Sequence, residues 1–529
     1  MRIFNTTGPV RPNQHYCLPP LERFNLNDVL FFIEQQKYFV LHAPRQVGKT
    51  SYLLALMDYL NTEGLYHCLY FNVEAAQATR ENVESAMRVI VGEMALRARS
   101  FLSDPFPQQI MEETLETYGA GALNAMISRW ANNAEKPLIL LIDEIDALVG
   151  DTLVAVLRQL RAGYDKRPSE FPQSIILCGV RDVRDYRIHS SKDKAVITGG
   201  SAFNIKVESL RLGNFRQPEV EELYRQHTVE TEQAFTPEAM ALIWDLTEGQ
   251  PWLANALGYE VCFRTEEARK HDQTITAEVI QQAKETIIQR RETHLDQLTD
   301  KLKEARVRRV IEPMLSGDDL DGQVQEDDIQ YVIDLGLIHR GSQGLQIANA
   351  IYREVIPRDL NYITQLNFES RIQTDWYIAP DGSLDMDKLL TAFQDFFRKN
   401  SEHWVERFDY KEAGPQLLLQ AFLQRIINGG GRIEREYGLG RGRTDLLLIW
   451  PYGDRDAVQE VVIETKLRHG ALETVIAEGL SQTWAYVNRS GTMDGRLIIF
   501  DRSKSHTWDE KIFKRSEMHQ DVAITVWGM

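Results

Sequence analysis

The stretch HAPRQVGKTS (42–51) constrains this chain more than any other, because it demands a particular strand, loop and helix around it. It follows KYFVLH (37–42), a short apolar run with strand character, and precedes SYLLALMDYL, whose apolar residues recur at helical spacing. A loop that opens a helix turns backbone N–H groups toward an anion, and Gly48 lets the chain come close to phosphate oxygens. Lys49 then pairs with the β- and γ-phosphates, Thr50 offers an oxygen to magnesium, and Ser51 completes the segment. The pattern is G-x-x-x-x-G-K-[ST], except that Ala43 stands where the first glycine is expected.

The neighbouring sequence supplies the matching sheet. HCLYFNV (67–73), PLILLID (137–143) and SIILCGV (174–180) are further buried-strand candidates with long helical segments between them. Strands that are apolar on both faces and separated by helices predict a parallel α/β sheet. LILLIDEIDAL (138–148) puts Asp143 and Glu144 at a strand's carboxyl end, where such sheets open their ligand crevice. Asp143 is expected to hold magnesium, through water, and Glu144 to polarise the attacking water.

APRQVGKTS, LLIDEIDAL and the later TEGQPWLANALG (247–258) resemble the AAA-like and STAND ATPases, including the archaeal-type ATPases, over about residues 15–360. The resemblance implies ATP and Mg2+ as cofactors and a homo-oligomer formed through the ATPase domain. It implies that Arg181, in ILCGVRD, senses the γ-phosphate, and that Gly249 and Pro251 touch nucleotide from a helical lid. The same Gly249–Pro251 turn also reads as a plain helix–helix turn. Arg158 and Arg161, on the helix after the acidic strand, read as solvated charges rather than as fingers acting in trans.

At 529 residues the chain is too long for one core, and about 100–200 residues per domain suggests three or four. The division expected is an ATPase core over 1–210, a helical lid over 211–290, a winged helix over 291–364, a connector over 365–390 and a further α/β domain over 391–529. The fold class is thus α/β multidomain. A formal charge of -17 leaves no global positive field, so any nucleic-acid contact must be local. In the winged-helix pattern the candidate reading helix, EDDIQYVIDLGL, carries four acidic residues and no basic one. A phosphate-lined groove repels that face, which favours a structural or partner-binding role; Arg306, Arg308 and Arg309 are the nearby basic cluster. Cys17, Cys68, Cys178 and Cys262 fit neither a zinc spacing nor a disulfide framework, and no apolar run approaches the length of a membrane span. A cytoplasmic protein is expected, with no signal peptide and no membrane partner.

The C-terminal part presents a second strand-end cluster. Asp445 lies on RTDLLLIW and Glu464 and Lys466 on EVVIETKL, with PYGDRD as the turn of a hairpin between them. Side chains alternate along a strand, so Glu464 and Lys466 share a face. Asp445 and Glu464 are the carboxylates a magnesium ion wants, with the Thr465 carbonyl as a third ligand, and Lys466 is placed to orient a water or stabilise developing charge. Gln482 and Tyr486 lie four apart on the following helix and share its face. Asp, then Glu-x-Lys, then Q-x-x-x-Y resembles the RecB-like PD-(D/E)xK nucleases over about 410–505, which implies a metal-dependent cut in DNA, or RNA. Arg432, Arg435, Arg441 and Arg443 form a local phosphate-binding edge. One departure stands out: many members of that family carry a glutamate on the first core helix, and here GPQLLLQAFLQRI offers Gln416 and Gln420; Glu412 lies just upstream, and Glu434 or Glu436 on the first strand is the substitute.

Overall fold

The computed structural model describes residues 1–182, 187–189, 196–198, 206–290, 292–316, 324–341, 344–360, 377–405, 415, 418–420, 422–423, 432–436, 445–453, 457–492, 494–501, 503 and 505–529. They divide into two compact units, Met1–Arg290 with Ile333–Gly336, and Arg291–Val332 with Leu337–Met529.

The first unit opens with β1 (Ile3–Phe4) and β2 (His15–Tyr16), a small parallel pair. Then come α1 (Leu26–Glu34), β3 (Tyr38–His42), α2 (Lys49–Glu63), β4 (His67–Asn72), α3 (Val83–Leu102), α4 (Phe106–Tyr118), α5 (Ala122–Asn133), β5 (Leu138–Asp143), α6 (Gly150–Ala162) and β6 (Ser174–Gly179). A hairpin of β7 (Arg187–His189) and β8 (Val196–Thr198) precedes β9 (Lys206–Arg211). The main sheet has the order β4-β5-β6-β3-β9, every neighbouring pair parallel. Alternation along β3 shows why its apolar run is unbroken: Tyr38 and Val40 join the core under α3–α6, while Phe39 and Leu41 join the core under α1 and α2. Each such side chain, fully buried, contributes about 1.5–3 kcal/mol.

The lid is built from α7 (Gln217–Thr231), α8 (Pro237–Thr247), α9 (Pro251–Phe263) and α10 (Ala277–Arg290), with proline in the first turn of the first three. Leu223, Ile243, Leu253, Leu257, Ile280 and Ile287 bury the stripe that holds these helices together.

The second unit contains α11 (Thr293–Leu302), α12 (Ala305–Ser316), α13 (Glu326–Asp334), β10 (Ile338–Gly341), β11 (Gly344–Ile347) and α14 (Ala350–Leu360). The last two residues of α13 count with the first unit. β10 and β11 form the hairpin expected near 342–344, paired from Ile338↔Ile347 to Gly341↔Gly344. Of the expected connector, residues from Tyr377 onward pack with the C-terminal elements: Leu384 and Met386 join the core of α15 (Met386–Val405), and Trp450 donates to the Gly382 carbonyl.

After α15 come β12 (Arg432–Glu436), β13 (Asp445–Tyr452), β14 (Ala457–Leu467), α16 (Leu472–Ser490), β15 (Gly495–Phe500), α17 (Trp508–Lys511), β16 (Phe513–His519) and β17 (Val522–Gly528). Their sheet has the order β12-β13-β14-β15-β17-β16. β12, β13 and β14 are an antiparallel meander, and α16 then carries the chain over to β15, parallel to β14. One face packs Val461, Ile463, Leu467, Ile498 and Phe500 against α15 and the helical residues 418–420 and 422–423; the other packs Val462, Leu497 and Ile499 against α16. All four cysteines are free; Cys17 is partly exposed and the other three are buried. Among the described residues no helix is long and apolar enough to cross a membrane.

Candidate functional site

The phosphate loop leaves β3 and enters α2 through Gly48, which sits in the left-handed region at φ +104. No side chain caps α2, so its first-turn N–H groups face the loop's mouth, a ready anion site. Lys49 is buried, and its ammonium donates to the carbonyls of Ala43 (2.9 Å) and Pro44 (3.0 Å), which holds it inside the loop. The alanine in place of the first glycine has a physical account. Ala43 donates its N–H to Gly179 O, 3.2 Å away, and its methyl fills a small apolar cluster with Val47 and Leu212. Its backbone is not in the left-handed region, so a glycine is not required there.

Asp143 at the end of β5 is fully buried and takes hydrogen bonds from Thr50, Tyr70 and the Glu144 amide, with the Cys178 thiol beside it. Thr50 Oγ1 lies 2.8 Å and Tyr70 Oη 3.0 Å from Asp143 Oδ2, and the Glu144 amide is 2.9 Å from Oδ1. A hydroxyl and a carboxylate converging at 2.8 Å are the hard-oxygen donor set that suits magnesium, so Thr50 and Asp143 fit the ion expected of them. Glu144 is half-buried with a left-handed backbone, φ 56, a strain typical of residues aimed at a site. Burial, and then repulsion from Asp146 and Asp143, push its carboxyl up to about 7 against the pull of Lys49 and Arg45. Asp146 accepts from the Val180 amide at 3.1 Å, which ties the exit of β5 to the exit of β6.

Ser51 accepts a hydrogen bond from the Val10 amide at 3.0 Å, so the N-terminal segment lies against the start of α2. Gly249 has φ +70, and a Cβ there would collide with the Phe215 carbonyl; Phe215 N donates back to Gly249 O at 2.8 Å. Pro251 is the first residue of α9, and Gln250 caps that helix through Leu253 N. Arg23 links this turn to the phosphate loop. Its guanidinium stacks 4.5 Å from the Phe215 ring and donates to Val47 O (3.0 Å) and Gly213 O (2.5 Å). Sequence reasoning missed both Tyr70 and Arg23. A tyrosine inside the otherwise apolar HCLYFN was the available signal, since a buried hydroxyl must find a partner; Arg23 carries no local signal. Arg181, just beyond β6, is buried and in an ion pair with Asp334, Nε to Oδ2 3.2 Å. Arg158 and Arg161 are exposed on α6.

In the second unit Glu464 Oε1 and Lys466 Nζ are 2.6 Å apart with side chains 2% and 4% exposed. Both alternate with Val462 and so belong to the sheet face covered by α16. Asp445 begins β13, where it pairs with Glu436, and the register Leu446↔Ile463 sets it at the position opposite Glu464. Its side chain lies outside the described residues, as do Arg441, Arg443, Glu412 and Gln416 and the side chains of Arg432, Glu434, Arg435 and Glu436. Gln482 and Tyr486 are partly buried one turn apart on α16; among the described residues Gln482 Oε1 is a buried atom without a hydrogen-bond partner, and Tyr486 lies 4.7 Å from the Arg489 guanidinium. Gln420 is 3% exposed, and its Oε1 likewise has no partner among the described residues. Among the described residues no group of three or more His, Cys, Asp or Glu side chains is placed to hold a metal.

The acidic α13 and the basic cluster answer each other. Arg306 pairs with Asp327 (3.3 Å) and Asp328 (3.1 Å), and Arg309 with Asp328 (2.9 Å).

No curated protein matches the chain. Among solved structures it is similar to a Walker-type ATPase of Pyrococcus abyssi, at 13% identity and a TM-score of 0.48, over 67% of this chain and 99% of that one. It is also similar to Cdc6p from Pyrobaculum aerophilum (14% identity, TM-score 0.35, 66% of this chain and 95% of that one). A third is the RuvB Holliday junction branch migration motor of Thermotoga maritima (14% identity, TM-score 0.33, 63% and 93%). The AAA-like domain family matches residues 30–357, more than half of the 529, and the chain belongs to that family.

Proposed function

We propose that this protein binds and hydrolyses ATP in its AAA-like part and uses that cycle to regulate or assemble a magnesium-dependent nuclease formed by its C-terminal sheet. The observation that carries the nuclease half is the buried Glu464–Lys466 pair on a sheet face otherwise filled with Val, Leu and Ile. Burying two charges costs several kcal/mol per ion, and apolar residues of similar volume would serve stability as well or better. A pair kept there is explained by chemistry. The meander β12-β13-β14, the crossing α16 and the parallel β15 also repeat the element order expected of a PD-(D/E)xK core.

Asp445 and Glu464 would hold magnesium, which when bound polarises a phosphate and acidifies a water. Glu464 holds Lys466 in place at 2.6 Å, and Lys466 orients the water and offsets charge developing on the phosphate. Gln482 and Tyr486 support the face from α16. In the ATPase, Lys49 and the N-terminus of α2 hold the phosphates, Thr50, Tyr70 and the Glu144 amide hold Asp143 in place, and Glu144 accepts a proton from the attacking water. The helix–helix–hairpin–helix segment reads as a winged helix of structural or partner-binding role, because Arg306 and Arg309 are occupied by Asp327 and Asp328. We place the protein in the cytoplasm as a STAND-like homo-oligomer acting on DNA, with RNA as the other substrate class. Antiviral defence, mobile-element control and repair are the settings that suit it.

The near-complete burial of Glu464 and Lys466 favours a second reading, an ATP-driven switch whose C-terminal unit binds nucleic acid or a partner without cutting. Plasmid cleavage with magnesium, run beside an RNA substrate, separates the two. The nuclease reading expects cleavage by wild type and none by Asp445→Ala; no cleavage by either leaves the switch. Gating is tested by nicking with and without ATP in wild type and Lys49→Ala, where identical rates throughout would rule it out.

A further inference from the structure

We infer that Asp334 is an internal anion that competes with the γ-phosphate of ATP for Arg181, so that the nucleotide site distinguishes ATP from ADP. The inference rests on the nucleotide-binding half of the proposed function and is independent of the nuclease half. Its starting point is where Arg181 emerges. β6 runs parallel to β3 with Gly179 beside His42, and the Ala43 amide donates to Gly179 O. Val180 and Arg181 therefore leave the sheet next to Ala43 and Pro44, at the mouth of the phosphate loop.

Residues Ile333–Gly336, part of the first unit, lie across that mouth. Arg211, at the end of β9 on the other side of β3, donates to Ile333 O at 3.0 Å. Gly336, φ +76, approaches so closely that a Cβ there would lie 2.7 Å from Pro44 Cγ. Between these two anchors Asp334 meets Arg181 at 3.2 Å, with side chains 1% and 8% exposed. Four residues thus span the carboxyl ends of β6, β3 and β9, and their one carboxylate is buried against an arginine at the edge of an anion site.

The α2 N-terminus and Lys49 provide for the phosphates closest to the loop. The next anion outward is the γ-phosphate, which ADP lacks. Arg181 has one carboxylate partner in place already, so a γ-phosphate must displace it and leave Asp334 to find other donors. That cost falls on ATP and spares ADP. An ion pair buried this deeply is weak evidence of stabilisation, and a switch is the better-attested use of such a pair.

The test is an equilibrium titration of the full-length protein with fluorescent ADP and a fluorescent, non-hydrolysable ATP analogue. Asp334→Asn keeps the shape and removes the charge; it is expected to tighten ATP-analogue binding about tenfold and leave ADP within about twofold. The same substitution in an Arg181→Gln background is expected to change nothing, because Asp334 acts through the arginine. An unchanged ATP/ADP ratio in Asp334→Asn, or an equal gain in the Arg181→Gln background, overturns the inference. Failure of wild type to bind ADP at all overturns the nucleotide site together with it. Should Asp334→Asn not fold, wild type still decides by amide hydrogen exchange. Faster exchange at Gly336 and Leu337 with the ATP analogue than with ADP is expected, and equal exchange overturns the proposal.

Discussion

Two apolar strands of this protein end on charged residues, and they resolve the charge in different ways. At the end of β5, Asp143 is satisfied by a hydroxyl from α2, a phenol from β4 and an amide of its own turn, which leaves Glu144 half-buried and poised near neutral pH. At the end of β14, Glu464 takes its counterion from two residues along the same strand, and both side chains are sealed. The first site draws its donors from several elements and keeps a carboxylate with an accessible proton equilibrium. The second pairs its charges within one strand. A cluster assembled from several elements is set up by the fold, whereas a pair along one strand is set up by alternation alone.

The largest expected effect breaks the first site. Lys49→Ala is expected to lower ATP hydrolysis by about a thousandfold, the loss typical of removing a charge-stabilising donor, with the melting profile close to wild type. Phosphate release assays against circular dichroism melts check this.

The second site should respond differently. Glu464→Gln strands a buried ammonium and is expected to cost about 3–5 kcal/mol in denaturant unfolding. The paired change Glu464→Leu with Lys466→Met should cost far less, or even stabilise, while cleavage is lost in both variants. If the pair and the single change destabilise equally, the pair's role is structural and the contrast between the two sites collapses.

Tyr70→Phe removes one donor from Asp143 and keeps the ring in its core. A hydrogen bond to a charged group is worth about 1.5–3 kcal/mol, so ATP hydrolysis should fall about tenfold or somewhat more. An unchanged rate would mean that the other donors hold Asp143 without Tyr70.

The smallest effect is a shift along the pH axis. A base with its carboxyl raised to about 7 is protonated and idle below that pH, so ATPase activity should climb through pH 7 from the acid side. Asp146 is one of the groups raising it, and removing that charge lowers Glu144's pKa. Asp146→Asn should therefore move the acid limb to lower pH in a pH–rate profile; a shift to higher pH would contradict the geometry.

Much of this was legible in the order of residues. The strands of the first sheet, the phosphate loop, the acidic strand end, the proline-started lid helices and the β12-β13-β14-α16-β15 order all follow from period and punctuation. β16 was not, because it is an edge strand whose residues FKRSEMH alternate partly buried with exposed and show no apolar run. α17, four residues long, is too short for a helical period. The glycine replaced by Ala43 looked like a weakness of the motif, and became intelligible only with Val47 and Leu212 in place around its methyl. The arginines of α12 looked available for a phosphate backbone until Asp327 and Asp328 were found beside them.

What the sequence determined by itself is whatever depends on neighbours a few residues apart: which stretches bury both faces, where a helix opens onto an anion, and that Glu464 and Lys466 leave one strand on one side. Pairing across the chain was left to the packing. Tyr70 reaches Asp143 over 73 residues, Arg23 reaches Gly213 over 190 and Arg181 reaches Asp334 over 153. Contacts at such separations follow no local period. They arise because buried polar groups must be satisfied by whatever partner the packing brings within reach.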